Sequence, residues 1–274
     1  MTRLDPSHPR FASLKSRARL AAASRRGLVV PEGLIAHGRG EAFDYYLGER
    51  TIPSARAAER TAAAWLWTAE RPVLSVNGNV AALAAREVAE LARTLPRLAV
   101  EVNLFHRTPR RVGLVLRALE AAGVARPLGL APTGRIAGLR SDRARVDRQG
   151  IGRADVCLIP LEDGDRALAL RRAGTRVISI DLNPLSRTST TADLPIVDEL
   201  TRALPAIAAE LRRLSRLRRP PRTRPRFDAA AALASARRRM ADRLTPVRSR
   251  RPRGRAPGGR RPARGTPRRS HRTR

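Results

Sequence analysis

The stretch "PVLSVNGNVAALAAREVAELARTLPRLAVEVNLF", residues 72–105, decides the fold class. It opens with a short apolar run (72–78), continues with a segment of helical period (79–95), and ends in a second apolar run (97–105). Short runs rich in Val and Leu, separated by helical segments, are typical of strands in a mostly parallel sheet. We therefore predict two strands joined by a helix over this stretch.

The same alternation continues through the first 214 residues. Further strands are predicted at "ADVCLIPL" (154–161) and "RVISIDLN" (176–183). Predicted helices cover 9–26 (closed by Gly27), 41–47, 53–69, 109–122, 162–173 and 198–213. The pattern predicts an α/β fold with a mostly parallel sheet and helices on both faces.

The C-terminal segment, residues 215–274, differs in composition. It contains 22 Arg, no Lys and two acidic residues, a net charge of +20, against +12 for the other 214 residues. Such a segment cannot bury enough apolar surface to offset its ordering entropy. We predict one folded domain over 1–214 and a mostly disordered Arg/Pro/Gly-rich tail over 215–274, with one solvated helix at 229–244.

The formal net charge of the whole chain, +32, is weak evidence for a nucleic-acid partner. Lys15 is the only lysine, and using arginine almost exclusively indicates GC-rich codons as much as function. A protein that binds nucleic acid non-specifically through the basic tail is nevertheless the alternative function. Few residues, 3%, are aromatic, which weakens a specific RNA role.

Cysteine content and hydropathy bound the compartment. The single cysteine, Cys157, excludes an internal disulfide, and its apolar surroundings predict a buried, inert thiol. No apolar run approaches the ~20 residues of a membrane span, and the first residues, "MTRLDPSHPRF", have no apolar signal core. We predict a cytoplasmic protein with no membrane contact.

Polar residues follow each predicted strand, where ligands of open α/β sheets bind. In "DLNPLSRT" (181–188), Asp181 could accept hydrogen bonds from ribose hydroxyls, and Arg187 could hold a phosphate. Turn chemistry explains the Asn-Pro pair and the hydroxyl cluster, but not the Asp and Arg that flank them. In "NGN" (77–79), Asn79 either caps the next helix or helps to bind an anion.

The stretch "GLIAHGRGEAFDYYLGER" (33–50) predicts a glycine-flanked loop that runs into a helix starting near Glu41. Two interpretations stand about even: a structural loop, or a loop whose backbone approaches a phosphate while Arg39 supplies a forked donor. Gly38-x-Gly40 is a partial dinucleotide fingerprint. It lacks the third glycine and a preceding strand, which disfavours a nicotinamide or flavin enzyme.

The acidic run "LEDGDR" (161–166) could approach Mg²⁺, but such residues more often open a helix. The four histidines show no metal-ligand spacing, and a second cysteine for zinc is absent. We predict no metal site built from protein ligands.

Five blocks together resemble the archaeal phosphopantothenate synthetase (4-phosphopantoate–β-alanine ligase) family: "PEGLIAHGRGEAFDYYLGE", "PVLSVNGNVAAL", "VEVNLFHRT", "IPLEDGDR" and "VISIDLNPLSRT". They occur in the family's order across roughly residues 7–210. The resemblance implies a Rossmann-like three-layer fold, a homodimer and a role in archaeal coenzyme A biosynthesis. It further implies condensation of 4-phosphopantoate with β-alanine, with ATP as co-substrate converted to AMP and diphosphate. Mg²⁺ would bridge the triphosphate oxygens.

Site residues follow from the resemblance position by position. The nucleotide-contacting positions are Arg17, Arg39, Asp181, Leu182, Asn183, Arg187, Thr188, Glu199 and Leu200. At the last pair relatives often have Asn-Ile, which a backbone contact tolerates better than a side-chain contact. The catalytic candidates are His37, as proton acceptor or as donor to a phosphate, and Arg39. Asn77, Asn79, Asn103 and Arg107 are candidates for binding phosphopantoate, because they follow predicted strands.

Overall fold

A computed structural model describes residues 5–245 of the chain, which form one α/β unit ending at Leu244. The strands are β1 (Pro72–Val76), β2 (Ala99–Val102), β3 (Gly134–Arg135), β4 (Arg145–Val146), β5 (Val156–Pro160), β6 (Arg176–Ile180) and β7 (Leu194–Ile196). The helices are α1 (Phe11–Arg25), α2 (Pro31–Leu47), α3 (Pro53–Thr68), α4 (Gly78–Thr94), α5 (Pro109–Ala121), α6 (Gly164–Arg172), α7 (Arg187–Thr191), α8 (Leu200–Ser215) and α9 (Ala229–Leu244).

Five strands form a parallel sheet in the order β2-β1-β5-β6-β7, and β3 and β4 form a separate antiparallel ribbon. Alternate residues of the central strands enter two hydrophobic clusters. Leu74 and Leu158 pack in the larger cluster, while Val73 and Cys157 pack in the smaller one. The sheet is therefore covered on both faces, which confirms the predicted Rossmann-like three-layer fold. Cys157 is buried, and burial raises the pKa of its thiol to about 12.

The prediction of a glycine-flanked loop before Glu41 is wrong, because helix α2 is longer than predicted and includes that segment. The helix runs unbroken from Pro31, at its first turn, to Leu47, and ends at Gly48 with a left-handed φ of 90°. The glycines inside it cost helix stability, about 1 kcal/mol each relative to alanine. Tertiary contacts accompany that cost: Gly33 and Gly40 pack on Asn79 and Leu182, and Glu41 and Asp44 form ion pairs with neighbouring helices.

The start of α4 also differs from the prediction. Asn77, not Asn79, caps the helix, since its Oδ1 accepts a hydrogen bond from Val80 N at 3.1 Å. Asn79 lies in the first turn and donates to Gly33 O at 2.8 Å. The cap therefore comes directly after β1 rather than two residues later.

Sequence reasoning missed β7 and α7, which span three and five residues and are too short to show a period. It also placed Ala229–Leu244 in a solvated tail, whereas the structure packs this helix against the domain. Leu233, Ala236 and Met240 are buried, and Trp65 Nε1 donates to Pro225 O at 2.8 Å. One apolar residue per turn was enough to dock it. The rest of the predicted disordered tail, 246–274, lies outside the described residues.

None of the helices within residues 5–245 combines the length and the hydrophobicity that crossing a bilayer requires.

Candidate active site

A cavity of about 1030 Å³ opens at the carboxyl ends of the parallel strands. The segments that follow all five strands contribute to its wall, and α1 and α2 close it from above. Chain direction explains this position, because parallel strands bring their connecting turns to one edge of the sheet.

Helix α2 crosses these strand ends from one side of the sheet to the other. Gly33 contacts Asn79 beyond β1, Gly40 faces Leu182 beyond β6, and Asp44 binds Arg202 beyond β7. The step from Gly33 to Gly40 advances a helix by about 10 Å. Two strand spacings, from β1 through β5 to β6, cover about the same distance. The middle of α2 therefore lies above β5.

His37 occupies that middle position and lines the cavity. Its Nε2 is buried and has no hydrogen-bond partner within the described part of the chain. Burial lowers the pKa of the imidazole, the charge of Arg17 acts in the same direction, and Glu41 opposes both. The ring is consequently neutral at pH 7, which leaves it able to accept a proton.

Asp181 and Arg187 form one end of the cavity, beyond β6. The Asp181 carboxylate accepts hydrogen bonds from Asn183 N at 2.9 Å and from the Ser186 hydroxyl. Burial raises the pKa of Asp181, while these two bonds and the charge of Arg39 oppose the increase. Arg39, Asn183 and Arg187 line the same cavity. The structure thus places Arg39, Arg187 and the acidic residue after β6 along one cavity.

Gly164 allows this end to close. A Cβ built on Gly164 would lie 2.2 Å from Arg187 Cβ, so only glycine permits the first turns of α6 and α7 to approach this closely.

The other predicted nucleotide positions also line the cavity, but several polar groups are already bonded. Thr188 Oγ1 donates to Glu162 O at 2.6 Å. The Glu199 carboxylate caps α8 by accepting a bond from Thr201 N at 2.6 Å, and burial raises its pKa. Leu182 and Leu200 are buried side chains of the wall. Relatives often have Asn at this position. Glu199 fits there because its carboxylate turns towards its own helix.

Arg17 is the predicted nucleotide position that does not line the cavity. Its guanidinium binds the Glu41 carboxylate, with Nε at 2.9 Å from Oε2, and its side chain is about half exposed. Glu41 itself faces the cavity, so Arg17 stands at the rim behind its partner.

The four predicted phosphopantoate residues separate into two pairs. Asn77 and Asn79 line the cavity, although their amide groups donate to Leu161 O at 2.9 Å and to Gly33 O at 2.8 Å. Asn103 is fully buried and donates to Arg145 O at 3.0 Å. Arg107 donates to Leu130 O at 3.0 Å and to Gly129 O. Neither Asn103 nor Arg107 lines the cavity. Both instead donate to backbone carbonyls of residues 129–146, the segment that contains β3 and β4 (the β3–β4 excursion).

Three arginines of the cavity wall escaped the sequence analysis. Arg202 bridges the carboxylates of Asp44 at 2.6 Å and Asp198 at 2.7 Å. Arg143 arrives from the turn before β4, and Arg111 from the first turn of α5. Only Arg111 could have been found from the sequence, because the Thr-Pro pair that starts a helix places it in the first turn, close to a strand end.

The acidic run after β5 is partly neutralised by arginine. Glu162 is buried and pairs with both Arg143 and Arg166, and Arg143 Nη1 also lies 3.2 Å from Asp163 Oδ2. Burial lowers the pKa of the Arg143 guanidinium to about 10. Within residues 5–245, no group of three or more His, Cys, Asp or Glu side chains is arranged to hold a metal ion.

The fold and this cavity define a three-layer α/β protein with a cavity at the carboxyl edge of a parallel sheet, where proteins of this class commonly bind their ligands. A sequence profile described as Phosphopantothenate/pantothenate synthetase matches residues 54–243. The chain belongs to the phosphopantothenate/pantothenate synthetase family and is a ligase.

Relatives named 4-phosphopantoate–β-alanine ligase cover most of the chain. The protein of Thermococcus onnurineus is 50% identical over 220 residues, 79% of this chain and 84% of the relative. That of Methanosarcina mazei is 53% identical over 204 residues, 74% and 80% of the two chains. That of Methanospirillum hungatei is 54% identical over 205 residues, 75% and 83%.

Proposed function

We propose that the protein condenses 4-phosphopantoate with β-alanine to 4′-phosphopantothenate, converting ATP to AMP and diphosphate through an acyl-adenylate, in coenzyme A biosynthesis. The relatives' names motivate the two organic substrates. The observation that carries the mechanism is the order of groups along one cavity. An Asp and two Arg stand at one end, and a neutral imidazole stands at the middle.

The nucleotide occupies the end beyond β6 and β7 in this proposal. The carboxylate oxygens of Asp181 can each accept a further hydrogen bond from a ribose hydroxyl, and the guanidinium groups of Arg39 and Arg187 can donate to phosphate oxygens. Neither guanidinium forms an ion pair within residues 5–245, although the charge of Arg39 acts on Asp181, so both can contact a phosphate. Leu182 and Leu200 supply apolar surface for a base.

The first step activates the acid. A carboxylate oxygen of phosphopantoate attacks the α-phosphorus of ATP, the bond from that phosphorus to the bridging oxygen breaks, and diphosphate leaves. Negative charge gathers at the phosphorus in the transition state, where Arg39 and Arg187 stabilise it. Holding the two anions in line supplies much of the remaining acceleration.

The second step forms the amide. The neutral amine of β-alanine attacks the acyl carbon, AMP leaves with the electron pair of the acyl–oxygen bond, and the nitrogen loses a proton. His37 Nε2 accepts that proton, because the imidazole is neutral and the nitrogen has no other partner in residues 5–245.

Mg²⁺ fits as an ion that arrives on the triphosphate. Asp165 lines the cavity and can offer a carboxylate, whereas Glu162 pairs with Arg143 and Arg166, and Asp163 contacts Arg143. Mg²⁺ is commonly bound in this way, through phosphates and few protein ligands. Its contribution when bound is to neutralise triphosphate charge.

The sharpest test is the fate of oxygen in 4-phosphopantoate labelled with ¹⁸O in its carboxylate. An acyl-adenylate transfers one label to AMP, and AMP release requires both organic substrates. Label in inorganic phosphate together with ADP would replace adenylation by acyl-phosphate chemistry. AMP release without either organic substrate would refute the ligase reaction itself.

Arg39→Ala tests the nucleotide end. We expect kcat/KM to fall at least about tenfold while the circular dichroism spectrum is retained, since one charge-assisted phosphate contact is lost. Wild-type kinetics would remove Arg39 from the site.

We also propose a homodimer, which light scattering on the full chain would test. Non-specific nucleic-acid binding through residues 215–274 is the competing hypothesis. A truncation after Leu244 that keeps the ligase activity and loses heparin retention would assign the two properties to different parts of the chain.

A further inference from the structure

Arg111 is a cavity cation without an ion-pair partner among residues 5–245; the charge of Glu32, which also lines the cavity, acts on it only from a distance. Arg111 is half-buried, and its guanidinium donates to His106 O at 2.7 Å and to Leu28 O at 3.4 Å, both backbone carbonyls. Burial lowers the pKa of this guanidinium, so placing the charge here costs free energy that neutral acceptors offset only in part.

Two other arginines differ: Arg143, which lines the cavity, and Arg166, which is fully buried and does not line it. Arg143 and Arg166 share the carboxylate of Glu162, and Arg143 also contacts Asp163. Their charge is neutralised within the protein. Arg111 is therefore the guanidinium that an anionic ligand would neutralise at this end.

Two helix N-termini add positive potential at the same place. Asn77 provides an acceptor for Val80 N, whereas the amides of Gly78 and Asn79, both at the cavity wall, have no acceptor inside α4. Arg111 itself lies in the first turn of α5, where a cation is unfavourable unless an anion joins it.

Arg111 is pressed against the first turn of α4. A Cβ built on Gly78 would lie 3.0 Å from Arg111 Nη2 and 2.3 Å from Leu28 O. Glycine is required for this approach, which brings the guanidinium beside the free amides. Guanidinium and helix amides together form the donor set that proteins use for phosphate.

The strand order indicates which phosphate group of the substrates would bind near Arg111. The site lies beyond β1 and β2, two to three strand spacings, about 10–14 Å, from the nucleotide end beyond β6. In 4-phosphopantoate the phosphorus and the carboxylate carbon are five bonds apart, roughly 6 Å when extended. A phosphate at Arg111 would direct the carboxylate towards β5, below His37.

We propose that Arg111, with the first-turn amides of α4, binds the phosphate of 4-phosphopantoate and sets the preference for this substrate over pantoate. The assignment rests on the proposed function and takes the place of the predicted role of Arg107, which points away from the cavity.

The test compares Arg111→Gln, Arg111→Lys, Arg107→Gln and the control Arg110→Gln, which removes a neighbouring charge from the exposed side of the same turn. We expect Arg111→Gln to raise KM for 4-phosphopantoate about 30-fold, with KM for ATP changed less than about twofold. The ratio of kcat/KM values for phosphopantoate and pantoate should fall by about the same factor. Arg111→Lys should recover part of the loss, Arg107→Gln should raise KM for 4-phosphopantoate far less than Arg111→Gln does, and Arg110→Gln should retain wild-type KM.

Three outcomes would overturn the proposal: equal increases in both KM values, an unchanged substrate preference, or a loss in Arg111→Lys as large as in Arg111→Gln. The last result would assign Arg111 a structural role, because lysine keeps the charge but loses the fork to two carbonyls. Calorimetric titration of 4-phosphopantoate into wild type and Arg111→Gln separates the subsite from the reaction. If wild type binds the compound through Arg111 but releases no AMP, the proposed function fails and the subsite stands.

Discussion

Replacing Gly38 by alanine should stabilise the protein, whereas the same change at Gly33 should destabilise it. Both glycines lie inside α2. A Cβ at Gly38 would have nothing within 4 Å, while a Cβ at Gly33 would lie 2.4 Å from Asn79 Oδ1 and 3.1 Å from Val29 Cγ1. The two substitutions therefore share the gain in helix propensity and differ only in packing.

The magnitudes follow from these distances. Alanine is favoured over glycine inside a helix by about 1 kcal/mol, so Gly38→Ala should raise Tm by roughly 2–4 °C in a domain of this size. At Gly33 the same gain is opposed by overpacking of about 1–3 kcal/mol and by loss of the hydrogen bond from Asn79 to Gly33 O, about 1 kcal/mol. The net change should be a loss of about 1–3 kcal/mol.

Urea unfolding followed by circular dichroism measures both changes, with equal m-values as the check that the unfolding remains two-state. Activity is a second readout, because Gly33 lies at the cavity wall and Gly38 does not. A fall in stability for Gly38→Ala would mean that this residue needs a backbone angle closed to alanine. The segment would then be the loop expected from its sequence rather than a helix.

Three further changes test the charged groups. Glu59 is 1% exposed, and burial followed by the charge of Asp198 raises its pKa to about 8 from 4.5. The folded state therefore keeps a proton that the unfolded state releases. Stability contributed by this group is fully present below pH 4.5 and is lost as the pH rises through about 8, so urea titrations should show a decline that Glu59→Gln lacks. Arg202→Leu should destabilise the fold by about 3–5 kcal/mol, because it leaves Asp44 and Asp198 enclosed without a counter-charge. A loss below about 1 kcal/mol would show that solvent already screens this bridge. For His37, whose pKa is lowered from 6.5, kcat/KM should hold until the pH falls below 6.5, and His37→Gln should abolish that acid limb. An acid limb retained in His37→Gln would assign it to another group.

The glycine-rich segment illustrates where sequence reasoning failed. Three glycines, Gly33, Gly38 and Gly40, lower the helix propensity of this segment, so its local sequence alone argues against a helix. In the folded protein this part of the helix packs on residues distant in sequence, Gly33 on Asn79 and Gly40 on Leu182. Tertiary contacts of this kind leave no periodic signal.

The arginine candidates show the same limit at the site. Arg107 and Arg111 are four residues apart near one strand end, and the sequence analysis selected only Arg107 as a binder of the anionic substrate. The structure directs Arg107 to carbonyls of the β3–β4 excursion and Arg111 into the cavity. The two arginines differ because the path of the β3–β4 excursion brings its carbonyls to Arg107 and not to Arg111.

The sequence by itself determined the alternation of strands and helices, the parallel sheet and the edge at which ligands bind, because these depend on local hydrophobic period and chain direction. It also placed Asp181 and Arg187 at that edge, because both belong to the segment that follows β6. Tertiary structure alone decided that His37 stands above β5 and which arginines remain unpaired. Those outcomes depend on partners far apart in the chain, whose distances and burial arise only when the helices pack over the sheet.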